Sequence, residues 1–178
     1  TREVTVLFAD IVGFTSRCES MEPQDVARFL NEFFTLASDS VFEFGGTLDK
    51  FIGDAVMAFF GAPLEQPDHA ERAVKAALNL RSRLKVWNHT RELAGLDPVE
   101  VRMALNSGLV VVGEIGSANR VDYTVLGNTV NVAARLEETV AVPAKRGDVV
   151  CFNIFCIHGS HIIQTDRVRR LVRLGYRD

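Results

Sequence analysis

Two six-residue runs, TLDKFI and AVMAFF, are separated only by Gly53-Asp54. Such a step between strand-like runs predicts a β-hairpin with a two-residue turn. A long helical period lies on each side of it. Upstream, Val26, Phe29, Leu30, Phe33, Ala37, Val41 and Phe44 recur near i, i+3, i+4 and i+7, which predicts a helix over 22–44. Pro23 suits its first turn and Gly45-Gly46 its end. Downstream, Asp68 with Glu71 resembles a capping box, with Asp in place of Ser or Thr. It starts a second long helix with Ala70, Ala73, Val74, Ala77, Leu78, Leu84 and Trp87 facing inward, stopped by Gly95 and Pro98.

The rest of the chain reads around that frame. Residues 3–9 form a buried strand. VEVRMALNSG and LVVVGEIG read as two separate strands, with a short strand around Tyr123–Leu126 and a helix from about Asn128 to Thr139. The order β-α-β-β-α-β-β-β-α predicts an α+β fold: an antiparallel sheet with helices packed on one side, of the ferredoxin-like (split βαβ) class.

At 178 residues the chain can bury a full core. No apolar stretch is long enough to cross a membrane, and no signal peptide is visible at the first residue. A net charge of -3 predicts no strong attraction to nucleic acid or to membranes. Cys18, Cys151 and Cys156 are an odd and sparse set, which argues against a disulfide framework and is compatible with a reducing compartment. Charge divides the chain unevenly. Residues 1–143 carry 13 basic and 20 acidic side chains, whereas seven basic and three acidic ones follow from Ala144 onward. That change of sign predicts two pieces of different character.

Two aspartates stand where apolar runs stop. Asp10 closes VTVLFA, and Asp54 sits in the hairpin turn. Taken singly, each is better read as a turn residue. Together, on neighbouring strands, they would form a site for a hard divalent cation. Lys50 lies four residues before Asp54 on the hairpin. Buried, it needs a partner; otherwise it faces solvent, because neighbouring Asp49 and Lys50 cannot share one face of a regular strand. Asn131 and Arg135, spaced i, i+4, share one helix face, where they form either a phosphate-binding pair or a solvated surface.

VTVLFADIVGFT, GGTLDKFIGDAVMAFFGAP, VRMALNSGLVVVGEIGS and DYTVLGNTVNVAARLE, in that order, resemble the catalytic domain of class III nucleotidyl cyclases over about residues 3–143. The resemblance implies an adenylate cyclase, which turns ATP into 3',5'-cyclic AMP and pyrophosphate. It implies two divalent cations, Mg²⁺ or Mn²⁺, held by Asp10, Asp54 and the Ile11 carbonyl, while amides of Ile11 to Thr15, including Gly13, Phe14 and Thr15, cradle the terminal phosphates. Asn131 would orient the ribose. Arg135 would stabilise the α-phosphate, and Arg102 would be a further phosphate contact. Lys50 and Thr124 would read the base: adenine offers an acceptor at N1 and a donor at its amine, which a donor-only Lys and the lone pairs of Thr match. A head-to-tail homodimer is implied, with no nucleic-acid partner and no direct membrane contact by this segment, in a cytoplasmic domain whose parent protein could itself be anchored. A diguanylate cyclase is disfavoured, because Gly45-Gly46 is followed by Thr47-Leu48 and not by an acidic pair.

After Pro143 the cyclase pattern ends. Residues 144–178 resemble the end of a phytanoyl-CoA dioxygenase-like protein, with His158 matching its distal iron ligand and Arg169 its 2-oxoglutarate contact. The His-x-Asp pair of that family is missing, so no iron site of its type forms in one chain. The late Lys that touches the triphosphate in cyclases has no counterpart either, which leaves open a domain that binds nucleotide or a partner with little turnover.

Overall fold

The structure, a computed structural model, describes residues 1–117, 119–139 and 150–151. In chain order the elements are β1 (Arg2–Ile11), α1 (Phe14–Cys18), α2 (Pro23–Glu43), β2 (Thr47–Ile52), β3 (Ala55–Phe60), α3 (His69–Leu93), β4 (Val101–Ser117), β5 (Arg120–Leu126), α4 (Asn128–Thr139) and β6 (Val150–Cys151). The sheet runs β2-β3-β1-β4-β5, and these five strands pair antiparallel. β6 pairs in parallel with Ala104 and Leu105 of β4. No helix among the described residues is long and apolar enough to cross a membrane.

β1 is central, and residues 4–9 are all buried. That explains why VTVLFA is apolar without alternation: both of its faces are covered. On one face Leu7, Ala9 and Ile11 meet Phe29, Phe33, Ala37 and Val41 of α2 and Ala73, Ala77, Leu80 and Leu84 of α3. On the other, Val4, Val6 and Phe8 meet Val110, Val125 and Ala133 of α4. The expectation of helices on one side only is therefore corrected. The short α4, with an apolar stripe of its own, closes the second face. A side chain such as Phe33, fully buried, contributes about 1.5–3 kcal/mol by leaving water.

Both long helices end alike. Gly45, at φ 72, follows α2; its amide bonds to Phe42 O at 3.0 Å and that of Gly46 to Val41 O at 2.9 Å. After α3, Gly95 and Leu96 bond to Glu92 O and Arg91 O at 3.0 and 2.9 Å. These are Schellman motifs, for which a left-handed glycine is the least strained residue. The capping box at Asp68 does not form. Asp68 caps no amide with its side chain and instead accepts from Arg72 at 2.8 Å, while Glu71 pairs with Lys75. On α3 the inward set also shifts. Ala76 and Leu80 are buried, whereas Ala70 and Leu78 are exposed.

The largest departure concerns β4. The two strands expected from VEVRMALNSG and LVVVGEIG are one 17-residue strand. Residues 101–110 pair with β1, and residues 111–117 pair with β5. Gly108 does not break the run, because the ladder hands over from one partner to the other with the extended backbone kept. The β4–β5 ribbon then folds back over the α4 face, where Tyr123 of β5 lies 6.3 Å from Phe59 of β3, ring to ring.

Candidate active site

The hairpin forms as expected, with Ile52 opposite Ala55 and Gly53 at φ 62 in the turn. Its tip brings Asp54 beside Asp10 at the end of β1. Burial, then the Asp10 charge, raise the Asp54 carboxyl above its usual value. A hydrogen bond with Asp10 adds to this, while a backbone hydrogen bond and Arg102 act against it. The two carboxylates thus act on one another as like charges at the open end of the sheet.

Arg102 stands opposite Asp10 in the β1–β4 pair, and its Nη2 donates to Asp10 Oδ2 at 2.9 Å. Its Nε lies 3.0 Å from Glu137 Oε1. Glu137, a buried carboxylate on α4, does not stand out in the sequence. Its only signal is an acidic residue on the apolar stripe beside Ala133 and Leu136.

The loop after β1 offers fewer free amides than Ile11 to Thr15 suggested. Val12 N–H is taken by Glu100 O at 2.9 Å. Gly13, Phe14 and Thr15, at the start of α1, have no helical acceptor. Gly13 has φ 68, and a Cβ there would meet nothing within 4 Å, so the space before the loop is open.

Lys50 faces the α4 side of the sheet, and the reason is a bulge. Pairing of β2 with β3 shifts between Leu48 and Lys50, leaving Asp49 as the extra residue. The expectation that Asp49 and Lys50 cannot share a face is thereby overturned: Lys50 Nζ lies 3.1 Å from Asp49 Oδ1. The fold-back of β5 brings Thr124 to the same point. Lys50 Nζ donates to Thr124 Oγ1 at 3.3 Å, and Thr124 Oγ1 donates to Asp49 Oδ2 at 2.6 Å. The Asp49 side chain is 1% exposed and that of Lys50 is 43% exposed, so the carboxylate sits behind and the ammonium in front.

Asn131 and Arg135 both lie on the exposed face of α4. At 100° per residue, they are roughly 120° and 160° around the helix from Glu137. One side of α4 thus meets the Asp10–Arg102 pair through Glu137, and the other turns away from it. A broad cleft of about 1120 Å³ lies elsewhere, between the ends of α2 and α3, where Arg17 and Arg91 sit over the Phe29 ring at 5.7 and 5.2 Å. The stretch that resembles a dioxygenase, with His158 and Arg169, lies outside the described residues, as does all of 144–178 except Val150–Cys151.

Residues 1–145 match the model of the adenylate and guanylate cyclase catalytic domain, and the chain belongs to that family. It is 40% identical over 136 residues to adenylate cyclase 1 of Rhizobium meliloti (strain 1021), which covers 76% of this chain and 20% of that protein. Among solved structures it is similar to the adenylyl cyclase CyaB from P. aeruginosa, at 37% identity and a TM-score of 0.77, covering 84% of this chain and 76% of that one. It is equally similar in fold to the guanylyl cyclase Cya2, with a TM-score of 0.77 at 33% identity, over 95% and 88% of the two chains. The chain spans well under a third of the length of the first curated relatives it matches.

Proposed function

We propose that this domain is an adenylate cyclase, converting ATP to 3',5'-cyclic AMP and pyrophosphate, with each site shared between two copies arranged head to tail. The observation that carries this reading is the meeting of Lys50 and Thr124 at 3.3 Å, from strands at opposite ends of the sheet order. The pair offers a donor for adenine N1 and lone pairs for its amine. Relatives named as adenylate cyclases support the same choice.

Asp10 and Asp54 are an oxygen-only donor set, which suits Mg²⁺ or Mn²⁺. Mg²⁺ is commonly held by one or two carboxylates, with substrate phosphates and water completing the shell. The Ile11 carbonyl would join them. Two ions bound there would supply charge stabilisation at the attacking and leaving oxygens. The chain's own groups do the positioning. The Gly13, Phe14 and Thr15 amides hold the terminal phosphates, and Arg102 adds a phosphate contact. Asn131 orients the ribose and Arg135 faces the α-phosphate. The 3'-oxygen then bonds to the α-phosphorus as the bond to the bridging oxygen breaks. Pyrophosphate departs with that electron pair, and the hydroxyl proton passes to water. Positioning and charge stabilisation carry most of such a reaction.

The orientation of α4 supports the shared site. Asn131 and Arg135 point away from the side that reaches Asp10, so they serve the carboxylates of a second copy. Exposed Leu109, Val111, Val121 and Leu126 on the β4–β5 ribbon supply apolar surface for such an interface.

Incubation with ATP and Mn²⁺, beside the Asp54→Ala variant and a parallel GTP reaction, tests the reading. Cyclic AMP from the wild type alone supports it. Cyclic GMP exceeding cyclic AMP at equal nucleotide would overturn the choice of base. Nucleotide binding with no product would place the domain among binding modules.

A further inference from the structure

Asp49 has no role in the scheme above, yet it is the most deeply buried group of the base-reading cluster. We infer that Asp49 sets nucleotide specificity from behind, by fixing which way the Thr124 hydroxyl points its single proton; the inference rests on the reading of Lys50 and Thr124 as the base contact.

A threonine hydroxyl has one proton and two lone pairs, and it can turn to donate or to accept. Alone, it does not distinguish the adenine amine from the guanine carbonyl. Here Thr124 Oγ1 lies 2.6 Å from Asp49 Oδ2. An ionised carboxylate only accepts, so the hydroxyl must donate to it. One lone pair of Thr124 Oγ1 receives Lys50 Nζ at 3.3 Å. The remaining lone pair is all that Thr124 offers a base. It accepts from an exocyclic amine and repels a carbonyl oxygen. Lys50, held 3.1 Å from Asp49 Oδ1, keeps its other N–H groups for a ring-nitrogen acceptor such as adenine N1. Guanine presents O6 and N1–H, the reverse pattern, and would leave both protein groups mismatched.

The backbone shows why the carboxylate can stand there. Leu48 faces the α2 side, so alternation places Asp49 on the opposite, α4 side and would send Lys50 back among Phe34 and Leu48. The bulge between Leu48 and Lys50 brings Lys50 to that same side, so the carboxylate stands behind both the ammonium and the hydroxyl it fixes. Asp49 touches no substrate atom in this scheme; it is a positioning residue acting through Thr124.

The test compares ATP with GTP as kcat/KM and as binding affinity for the wild type, Asp49→Asn, Asp49→Ala, Thr124→Val and the Asp49→Asn/Thr124→Val double variant. The Asn amide can itself donate to Thr124 Oγ1, and Ala has no acceptor; both release the hydroxyl proton toward the base. The ATP:GTP ratio should fall about tenfold or more in both Asp49 variants, chiefly through a gain for GTP. The double variant should fall no further than Thr124→Val alone. An unchanged ratio in folded Asp49→Asn, or effects that multiply in the double variant, overturns the inference and leaves the adenylate cyclase reading standing. A wild type that binds neither nucleotide, or prefers GTP, overturns that reading and this inference with it.

Discussion

Asp10 and Arg102 face each other across the β1–β4 pair and close at 2.9 Å. Without metal, the arginine is the charge that balances a carboxylate otherwise set against Asp54. A divalent ion that binds Asp10 must do so beside that guanidinium. Substituting Arg102→Gln should therefore tighten Mn²⁺ binding in the absence of nucleotide, roughly threefold to tenfold for a partly exposed pair. Turnover should fall at the same time if Arg102 makes the phosphate contact proposed for it. Mn²⁺ titration followed by electron paramagnetic resonance measures the first effect; weaker or unchanged binding would contradict this account.

Asp54 makes a pH-dependent contribution opposite in sign to that of a salt-bridged carboxylate. Its folded carboxyl holds the proton more tightly than the usual value of 3.8. The associated stability is thus present below that value and is lost as pH rises through the raised folded one. In chelator-treated protein, Asp54→Asn should raise the Tm at neutral pH, and the gain should shrink to nothing as the pH falls below that of an ordinary carboxyl. Calorimetry across that range decides it, and a lower Tm for the variant at neutral pH would count against close pairing with Asp10.

The proposed head-to-tail sharing of the site predicts complementation. On the proposed reading, Asp54→Ala loses a metal ligand and Arg135→Ala the charge facing the α-phosphate, so each should lose about 10²-fold or more of cyclic AMP formation. Co-refolded in equal amounts, they should recover about a quarter of the wild-type rate, since half of the dimers are mixed and each holds one intact site of two. Mixed dimers seen by sedimentation but without activity would refute the head-to-tail arrangement.

The core offers a ranked pair of stability tests. Phe33→Ala removes a fully buried ring and should cost about 3–5 kcal/mol. Gly46→Ala sets a Cβ 2.6 Å from the Phe60 ring and 2.8 Å from Val41, and should cost about 1–3 kcal/mol through overpacking. Urea unfolding midpoints give both, and a Gly46→Ala variant as stable as the wild type would mean that Phe60 and Val41 can move aside.

Several parts of the fold are legible in the order of residues alone. Phe29, Phe33, Ala37 and Val41 recur at helical spacing because only one face of α2 meets the sheet. Gly45 and Gly95 mark the helix ends because the left-handed backbone there admits few other residues. Asp10 and Asp54 fall at strand ends because the apolar runs stop at them. The bulge at Asp49 is not legible, since nothing in GGTLDKFIGD signals an extra residue in the pairing and strict alternation from Leu48 sends Lys50 to the wrong face. Nor is the union of LNSG and LVVV into one strand, because Gly108 looks like a break until its backbone is seen bonded to β1.

The amino-acid order thus determined most of the elements, the hairpin tip and the strand-end placement of each aspartate, all of which depend on neighbours a few residues apart. The tertiary structure alone decided what Lys50 meets. Thr124 reaches it from 74 residues away only because β4 runs on past β1 and curls its ribbon across the sheet. Lys50 shares the face of Asp49 only because a bulge defeats the two-residue period. Sheet curvature and pairing register are set by packing summed over the whole fold, and no local pattern carries them.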